Sequence, residues 1–193
     1  MSALPETGSH QIALPWSGAG YVHVEPEGSD RLDVVGLTRQ PDGRWNEPDD
    51  RTLYLAGDPG VALSELARHL PPEEPGAHRL LVRIEVRLER VLDLRSTQVC
   101  ERLGIAGAPF SFLEREQARD VAGRLRRGGD VEAILVPPMA FLDDPERWNL
   151  VGFVDRMGAS WLAGWSQVGM VDLRAVDVGG GGGSPARCRP WRG

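Results

Sequence analysis

Residues Gly43–Leu70, GRWNEPDDRTLYLAGDPGVALSELARHL, combine a turn, a strand and a helix in one short piece of chain. Thr52–Ala56 has the apolar and β-branched residues of a short strand. Asp58 followed by Pro59 is a typical helix start, because aspartate caps free amide groups and proline fits the first helical position. We therefore expect a helix over residues 58–70.

This helix has an apolar stripe at helical spacing, formed by Leu63, Leu66, Ala67 and Leu70. Glu65 is expected on the other side of the helix. Arg44 follows a turn, Tyr54 lies in the strand, and we expect both side chains to line one cleft with Glu65. Each also has a simple structural interpretation: Arg44 and Glu65 as solvated surface charges, and Tyr54 as a core aromatic residue.

The composition describes a soluble globular protein of 193 residues, long enough for one domain with a sizeable core. Apolar residues make up 41% and charged residues 26% of the chain. The formal charge of −6 argues against direct nucleic-acid binding, which needs a basic surface. The chain has no lysine, which excludes Schiff-base catalysis and a lysine-containing phosphate loop.

The two cysteines, Cys100 and Cys188, do not form a disulfide framework, and no metal-ligand spacing occurs. We therefore predict no metal site. The N-terminus lacks the features of a signal peptide, and no apolar run has membrane-spanning length. These features predict a cytoplasmic protein with no membrane contact.

The rest of the chain alternates strands and helices. Strands are predicted at Tyr21–Val24, Leu32–Leu37, Leu80–Leu88, Ala133–Val136 and Asn149–Val154. Helices are predicted from a Ser96 cap to Leu103 and over Leu113–Arg127, with Leu113 buried. The clearest strand is Leu80–Leu88, in which apolar and charged residues alternate.

The predicted organisation has four parts. Residues 1–20 form an irregular N-terminal arm, and 21–157 form the globular domain. Residues 158–178, which include Trp161 and Trp165, form an extension that is either a further strand pair or a covering segment. Residues 179–193 are a glycine-rich linker and a basic tail.

The order of six short segments resembles that of the RES domain family, named for its arginine, glutamate and serine. The segments are GRWN (43–46), LYLA (53–56), ALSELAR (62–68), VLDL (91–94), AILVPP (133–138) and NLVGF (149–153). The resemblance implies an α+β fold similar to ADP-ribosyltransferases, with a mixed, largely antiparallel sheet core and flanking helices. It also implies NAD as the substrate, no metal, and a helix-turn-helix antitoxin as partner.

The resemblance assigns a role to each matching residue. Arg44 would contact the phosphates of NAD, and Tyr54 would position the nicotinamide end. Glu65 would hold the ribose hydroxyls and stabilise the positive charge that develops as the nicotinamide bond breaks. Trp45, Asn46, His23 and Pro138 complete the predicted NAD-binding set.

Two of these positions depart from the family pattern. Pro137-Pro138 stands where the family has Pro-Ser, and proline offers neither a hydroxyl nor an amide hydrogen. His23 stands where the family has its first arginine, so a permanent charge is missing there. These departures argue against phosphorolysis in particular, because that reaction needs a site that binds a phosphate anion.

Three hypotheses follow. The first is an NAD glycohydrolase or phosphorylase, the toxin of a toxin–antitoxin module, with an ADP-ribosyltransferase acting on a protein as a variant. The second is a degenerate RES module that binds a nucleotide or protein without catalysis. The third is docking of a partner through the Trp-rich C-terminal extension. The sequence leaves oligomerisation open.

Overall fold

A computed structural model describes residues 12–26, 32–39, 43–69 and 78–172. The predicted linker and tail at 179–193 lie outside these residues, as do residues 1–11 of the predicted arm. Within the described ranges, no helix is long and apolar enough to cross a membrane.

Six strands form one mixed sheet. They are β1 (Leu14–Val24), β2 (Thr52–Ala56), β3 (His78–Asp93), β4 (Ala133–Val136), β5 (Asn149–Phe153) and β6 (Leu162–Asp172). The strand order is β1-β2-β5-β4-β3-β6, and β1 also pairs with β3, so the sheet closes on itself. All pairs are antiparallel except β3–β4. The predicted mixed, largely antiparallel sheet with helices is confirmed, whereas its closure was not predicted.

Several helix ends coincide with capping residues in the sequence. The helices are α1 (Val34–Leu37), α2 (Pro59–His69), α3 (Thr97–Arg102) and α4 (Arg115–Gly128), with a 3₁₀ turn at Phe110–Leu113 before α4. Asp58 Oδ1 accepts from the Val61 amide of α2 at 3.0 Å, as predicted. Gly104 and Gly129 end α3 and α4 with φ values of 68° and 80°, a conformation that favours glycine.

The alternation of side chains along the strands separates two apolar layers. One sheet face packs against α3, α4 and the 3₁₀ turn, and its core includes Phe112 and Phe153. The opposite face buries Leu53 and Leu55 of β2, among others. Tyr54 lies between these two leucines and therefore points to the helical side, towards the turn that carries Arg44. The two-residue alternation of side chains along β2 thus places Tyr54 where it can support that turn.

Two predicted segments differ from the structure near the N-terminus. β1 begins at Leu14, so residues 14–20 belong to the sheet rather than to an arm. The strand predicted at 32–37 is wrong, because Asp33 caps a short helix there by accepting from the Gly36 amide. A capping aspartate favours the helical turn over the extended chain.

Two differences concern the C-terminal half of the chain. Leu113 is 49% exposed, so its predicted burial is wrong; it lies in the 3₁₀ turn before α4 begins. The segment predicted as an extension contributes β6, one strand that pairs with β3 and belongs to the main sheet. Trp165 is 38% exposed on that strand.

The buried face of α2 also differs from the predicted stripe. Val61, Ala62 and Leu63 are buried, whereas Leu66 and Ala67 are only half-buried. Because the first turns of α2 enter the core, the residue one turn after Val61 also faces inward. That residue is Glu65, which is half-buried, so the side of α2 away from the leucine stripe also faces protein.

Candidate functional site

Glu65 is held in place by the ends of two strands. Its Oε1 accepts from the Met139 backbone amide at 3.1 Å and from Asn149 Nδ2 at 3.4 Å. Met139 follows the two prolines that end β4, and Asn149 is the first residue of β5. Among the described residues, Oε2 has no hydrogen-bond partner. The carboxylate is thus fixed through one oxygen, and the other is available to a ligand.

Arg44 is tethered across the molecule to the 3₁₀ turn. Its Nη1 donates to the carbonyls of Phe112 and Leu113, at 3.0 and 2.8 Å. Both bonds use the same nitrogen, so the tether fixes the position of the guanidinium while other N–H groups keep their capacity to bind an anion.

Tyr54 supports the turn behind Arg44. Its hydroxyl donates to Asn46 Oδ1 at 2.7 Å and accepts from the Trp45 amide at 3.1 Å. Burial raises the pKa of Tyr54 above the ordinary 10.0, so the phenol stays protonated and remains a donor at neutral pH. A Cβ atom at Gly43 would collide with Asn46 Oδ1 and Tyr54 Oη, which explains a glycine at the start of GRWN.

Two predicted NAD-binding residues lie behind this turn rather than at its surface. Trp45 is 4% exposed and packs edge-to-face on Phe112, with ring centroids 5.0 Å apart. Asn46 is 1% exposed, and its Nδ2 donates to the Glu47 carbonyl. In this conformation both residues shape the turn, and neither presents its side chain to a ligand.

His23 and Pro138 both lie near α2. His23 Nε2 donates to the Ala62 carbonyl at 2.7 Å, which links β1 to α2. Burial, opposed by that hydrogen bond and reinforced by the nearby Arg79, lowers the pKa of His23. Pro138 is buried directly before Met139, so it sits beside the amide that holds Glu65.

The charges around Arg44 reveal two cations that the sequence did not single out. Burial lowers the pKa of Arg44, and the neighbouring Arg68 and Arg115 lower it further, while Glu65 and Tyr54 act in the opposite direction. Arg44, Tyr54 and Glu65 therefore share one electrostatic neighbourhood. No hydrogen bond joins Glu65 to either of the other two in the described part of the chain.

A separate cavity of about 380 Å³ lies between α4 and the loop that carries Arg44. It is lined by Glu47, Asp50, Glu116, Arg119, Asp120, Gly123, Arg126 and Arg127. Glu65 and Arg44 are not among these residues. Glu47 and Asp50 belong to the loop that carries Arg44, and Arg119 links the cavity to the start of that loop, since its Nε and Nη2 donate to the Gly43 carbonyl.

The sequence missed the groups that hold the site together. Asn149 and the Met139 amide are far from Glu65 along the chain, and only the segments NLVGF and AILVPP pointed to their neighbourhoods. The position of Arg68 near Glu65 could have been predicted, because Arg68 lies three residues after Glu65 on the same helix. Across residues 12–26, 32–39, 43–69 and 78–172, no group of His, Cys, Asp or Glu side chains could hold a metal ion.

The comparisons with known proteins identify the family of the chain and a similar fold. A chain of the MbcT–MbcA toxin–antitoxin complex of M. tuberculosis has a similar fold, with a TM-score of 0.57 at 19% sequence identity. The match covers 81% of this chain and 86% of that one. No curated protein matches the sequence. The model of the RES domain matches residues 23–161, most of the chain, and the chain belongs to the RES domain family.

Proposed function

We propose that the protein is an NAD-consuming enzyme that cleaves the bond between nicotinamide and ribose, and that it is the toxin of a toxin–antitoxin module. The observation that carries the proposal is the anchoring of Glu65 by Met139 and Asn149 beside a tethered Arg44. Membership of the RES domain family and the fold shared with a chain of a toxin–antitoxin complex support it.

In the proposed reaction, the carboxylate of Glu65 acts on the ribose. Breaking the N-glycosidic bond builds positive charge on the sugar, as in glycoside hydrolysis, and a fixed carboxylate lowers the energy of that state. Holding Oε1 with two donors fixes the group before the substrate binds. Oε2 then faces the ribose, and nicotinamide departs with the bonding electron pair.

Arg44 and Tyr54 have different parts in this proposal. The guanidinium of Arg44 binds the phosphates of NAD. Tyr54 acts through the turn: its hydroxyl holds Trp45 and Asn46, and so keeps Arg44 in position. Tyr54 is therefore a positioning residue in the proposal, rather than a direct contact for nicotinamide. The same holds for Trp45 and Asn46, which are buried.

The proposed acceptor of the ADP-ribosyl group is water. Pro138 cannot supply the hydroxyl of the family serine, and His23, with its lowered pKa, cannot supply a permanent positive charge. Phosphorolysis and transfer to a protein side chain remain variants of the same bond cleavage, distinguished by the product formed.

The proposed partner is an antitoxin, on the ground that the similar solved structure is a toxin–antitoxin complex. From the family resemblance we expect a helix-turn-helix protein that neutralises the toxin in the cytoplasm. A small open reading frame for such a protein beside the gene would support this part of the proposal.

The test is nicotinamide release from NAD by the purified protein, with and without inorganic phosphate. We expect Glu65→Gln to reduce the rate at least about tenfold, which corresponds to about 1.4 kcal/mol of transition-state energy. The matched control is Glu101→Gln, an exposed glutamate on α3. Equal rates for the wild type and Glu65→Gln would contradict the catalytic assignment.

A catalytically inactive binding module is the second candidate, favoured by the buried Pro138 in place of a serine. It predicts that the wild type binds ADP-ribose in calorimetry while releasing no nicotinamide. Rapid nicotinamide release by the wild type would exclude it.

A further inference from the structure

The amide that holds Glu65 belongs to the loop between β4 and β5. This β4–β5 loop comprises residues 137–148. It begins with Pro137 and Pro138, which have no amide hydrogen, so Met139 carries the first amide after β4 that can donate. That amide donates to Glu65 Oε1 at 3.1 Å. The position of the carboxylate therefore depends on how the loop is held against α2.

Three successive turns make up most of the β4–β5 loop, and Met139 lies in the first of them. The Phe141 amide donates to the Pro138 carbonyl at 3.0 Å, and the Asp144 amide donates to the Phe141 carbonyl at 3.1 Å. The Arg147 amide then donates to the Asp144 carbonyl at 3.2 Å. Each bond joins residues three apart, as in a tight turn. Because each turn begins where the previous one ends, the position of Arg147 affects the position of Met139.

The side chain of Arg147 joins the β4–β5 loop to the beginning of α2. Its Nη1 lies 3.8 Å from Asp58 Oδ2. Asp58 is the N-cap of α2, since its Oδ1 accepts from the Val61 amide. The carboxylate of Asp58 thus caps the helix with one oxygen and pairs with the loop through the other.

The same guanidinium is also fixed within the loop. Arg147 Nε donates to Asp144 Oδ2 at 3.0 Å, and the guanidinium carbon lies 4.0 Å from the centroid of the Phe141 ring. Phe141 in turn packs against the apolar cluster that contains Val61 and Ala62 of α2. Arg147 therefore combines a polar and an apolar link between the loop and the first turn of α2.

These links are expected to affect position more than stability. The side chains of Arg147 and Asp58 are 33% and 44% exposed, and ion pairs between exposed groups contribute little to the free energy of unfolding. Glu65 lies seven residues after Asp58, about two helical turns along α2. The helix thus carries the carboxylate, while the loop carries the amide that binds it. A link between the loop and the helix keeps the two groups at hydrogen-bonding distance.

We propose that Arg147 is a positioning residue, which keeps the Met139 amide on Glu65 by holding the β4–β5 loop against the start of α2. In the described part of the chain, Arg147 forms no hydrogen bond or ion pair with Glu65 itself, so it acts through the loop. The inference rests on the proposed function for the reaction that Glu65 serves. It goes beyond that function by extending the site to a loop that carries none of the proposed catalytic groups.

The first test measures the hydrogen bond without any reaction. Hydrogen exchange of the Met139 amide is followed by NMR in the full chain. We expect Arg147→Gln to accelerate this exchange severalfold, towards the rate in Glu65→Ala, which has no acceptor for the amide. The amides of β4 and β5 should keep their wild-type rates. The matched control is Arg102→Gln, an exposed arginine on α3, which should leave the exchange of Met139 unchanged.

The second test measures nicotinamide release from NAD. We expect Arg147→Gln to lower kcat at least about fivefold while KM changes less than about twofold, because Glu65 acts mainly in the transition state. Asp58→Asn keeps a helix cap but removes the charge, so it should also lower kcat. The double variant should be no slower than Arg147→Gln alone, since both changes break the same ion pair.

The two tests separate this inference from the proposed function. Wild-type exchange at Met139 in Arg147→Gln would overturn the inference, and so would a wild-type kcat in an enzyme whose rate depends on Glu65. A raised KM with an unchanged kcat would overturn it as well, because it would indicate a direct contact between Arg147 and NAD. A wild type that releases no nicotinamide, with faster Met139 exchange in Arg147→Gln, would reject the enzyme and retain the role of the loop.

Discussion

Two groups of arginines flank the loop of residues 43–51, and they have opposite surroundings. On the α4 side, Arg126 is 6% exposed and is enclosed by protein acceptors. Its Nη1 donates to Asp155 at 2.6 Å, and its Nη2 donates to Thr52 Oγ1 at 2.7 Å. Arg44, by contrast, is half-buried, and its charge is influenced by Arg68 of α2, by Arg115 at the start of α4 and by Glu65.

The difference separates structural cations from cations that can bind a ligand. Arg126 also lies over the ring of Phe153, 4.9 Å from its centroid, so its planar faces and its donors are largely used by the protein. Arg68 has no protein partner among the described residues. A buried, paired arginine fixes a fold, whereas an exposed arginine without such partners keeps its donors for an anion.

The same comparison explains why the cavity beside α4 is not the preferred site. Its lining combines the acidic Glu47, Asp50, Glu116 and Asp120 with the basic Arg119, Arg126 and Arg127. The signs nearly balance, and Arg126 and Arg119 are already bonded to the loop. The cavity therefore offers little unbalanced charge to a ligand.

The largest expected effect is on stability, in Arg126→Gln. Removing the guanidinium leaves the buried hydroxyl of Thr52 without its donor and Asp155 without its cation, and it breaks the link between β2 and α4. We expect the free energy of unfolding to fall by about 3 kcal/mol, measured by urea denaturation.

The control for this prediction is Arg127→Gln, the next residue on α4, which is exposed and should change the stability by less than about 0.5 kcal/mol. Arg44→Gln should also have a smaller effect than Arg126→Gln. If Arg44→Gln destabilised the protein as strongly, the distinction between the two groups of arginines would not hold.

A smaller effect is expected from Tyr54→Phe, which tests how the turn is supported. Without the hydroxyl, the Trp45 amide and Asn46 Oδ1 lose a partner in a buried region, which should cost about 2 kcal/mol. Because the turn positions Arg44, the affinity for ADP-ribose should fall as well. Both quantities are measured on one preparation, by urea denaturation and by calorimetry.

Tyr21→Phe is the matched control, since Tyr21 is the other tyrosine of the chain and lies on β1, away from the turn. It should leave the affinity for ADP-ribose unchanged. A Tyr54→Phe protein that kept the wild-type stability but lost binding would assign Tyr54 a direct contact with the ligand instead.

Much of the fold followed from local rules in the sequence. The Asp58 cap of α2 and the alternation along β3 were predicted correctly, because caps and side-chain periods depend on neighbouring residues. The closure of the sheet depends on β1 pairing with β3, which brings together residues far apart in the chain. Residues 14–20 contain proline and glycine without clear alternation, so only that pairing identifies them as a strand.

For the candidate site, too, local features could be predicted from the sequence, whereas contacts between distant segments could not. The sequence placed Arg44, Tyr54 and Glu65 in one region, through their positions at a turn, a strand and a helix. It placed Glu65 off the stripe of leucines, but it did not indicate that this side of α2, with Val61, is buried as well. Met139 and Asn149, which hold Glu65, are brought to it by β4 and β5, and no local pattern indicates that contact.

The smallest expected effect is on the pH dependence of stability and concerns His23. This largely buried side chain can also carry a positive charge, so it can be compared with the two groups of arginines. The folded-state pKa of His23 lies below the ordinary 6.5, because the ring is buried and Arg79 is near. Between these two pKa values the unfolded chain binds more protons than the folded one, so the free energy of unfolding rises with pH. The stabilising contribution is complete above pH 6.5 and is lost as the pH falls through the folded pKa.

The measurement compares the wild type with His23→Gln by urea denaturation between pH 5 and 7.5. Glutamine keeps a donor for the Ala62 carbonyl but does not titrate. We expect the stability of the wild type to fall relative to the variant as the pH is lowered, because a protonated Nδ1 would be buried without an acceptor among the described residues. Parallel curves would mean that the ring reaches solvent when it is protonated. His23 would then belong with the exposed cations, and the loss of the family arginine at this position would be partly offset in acid.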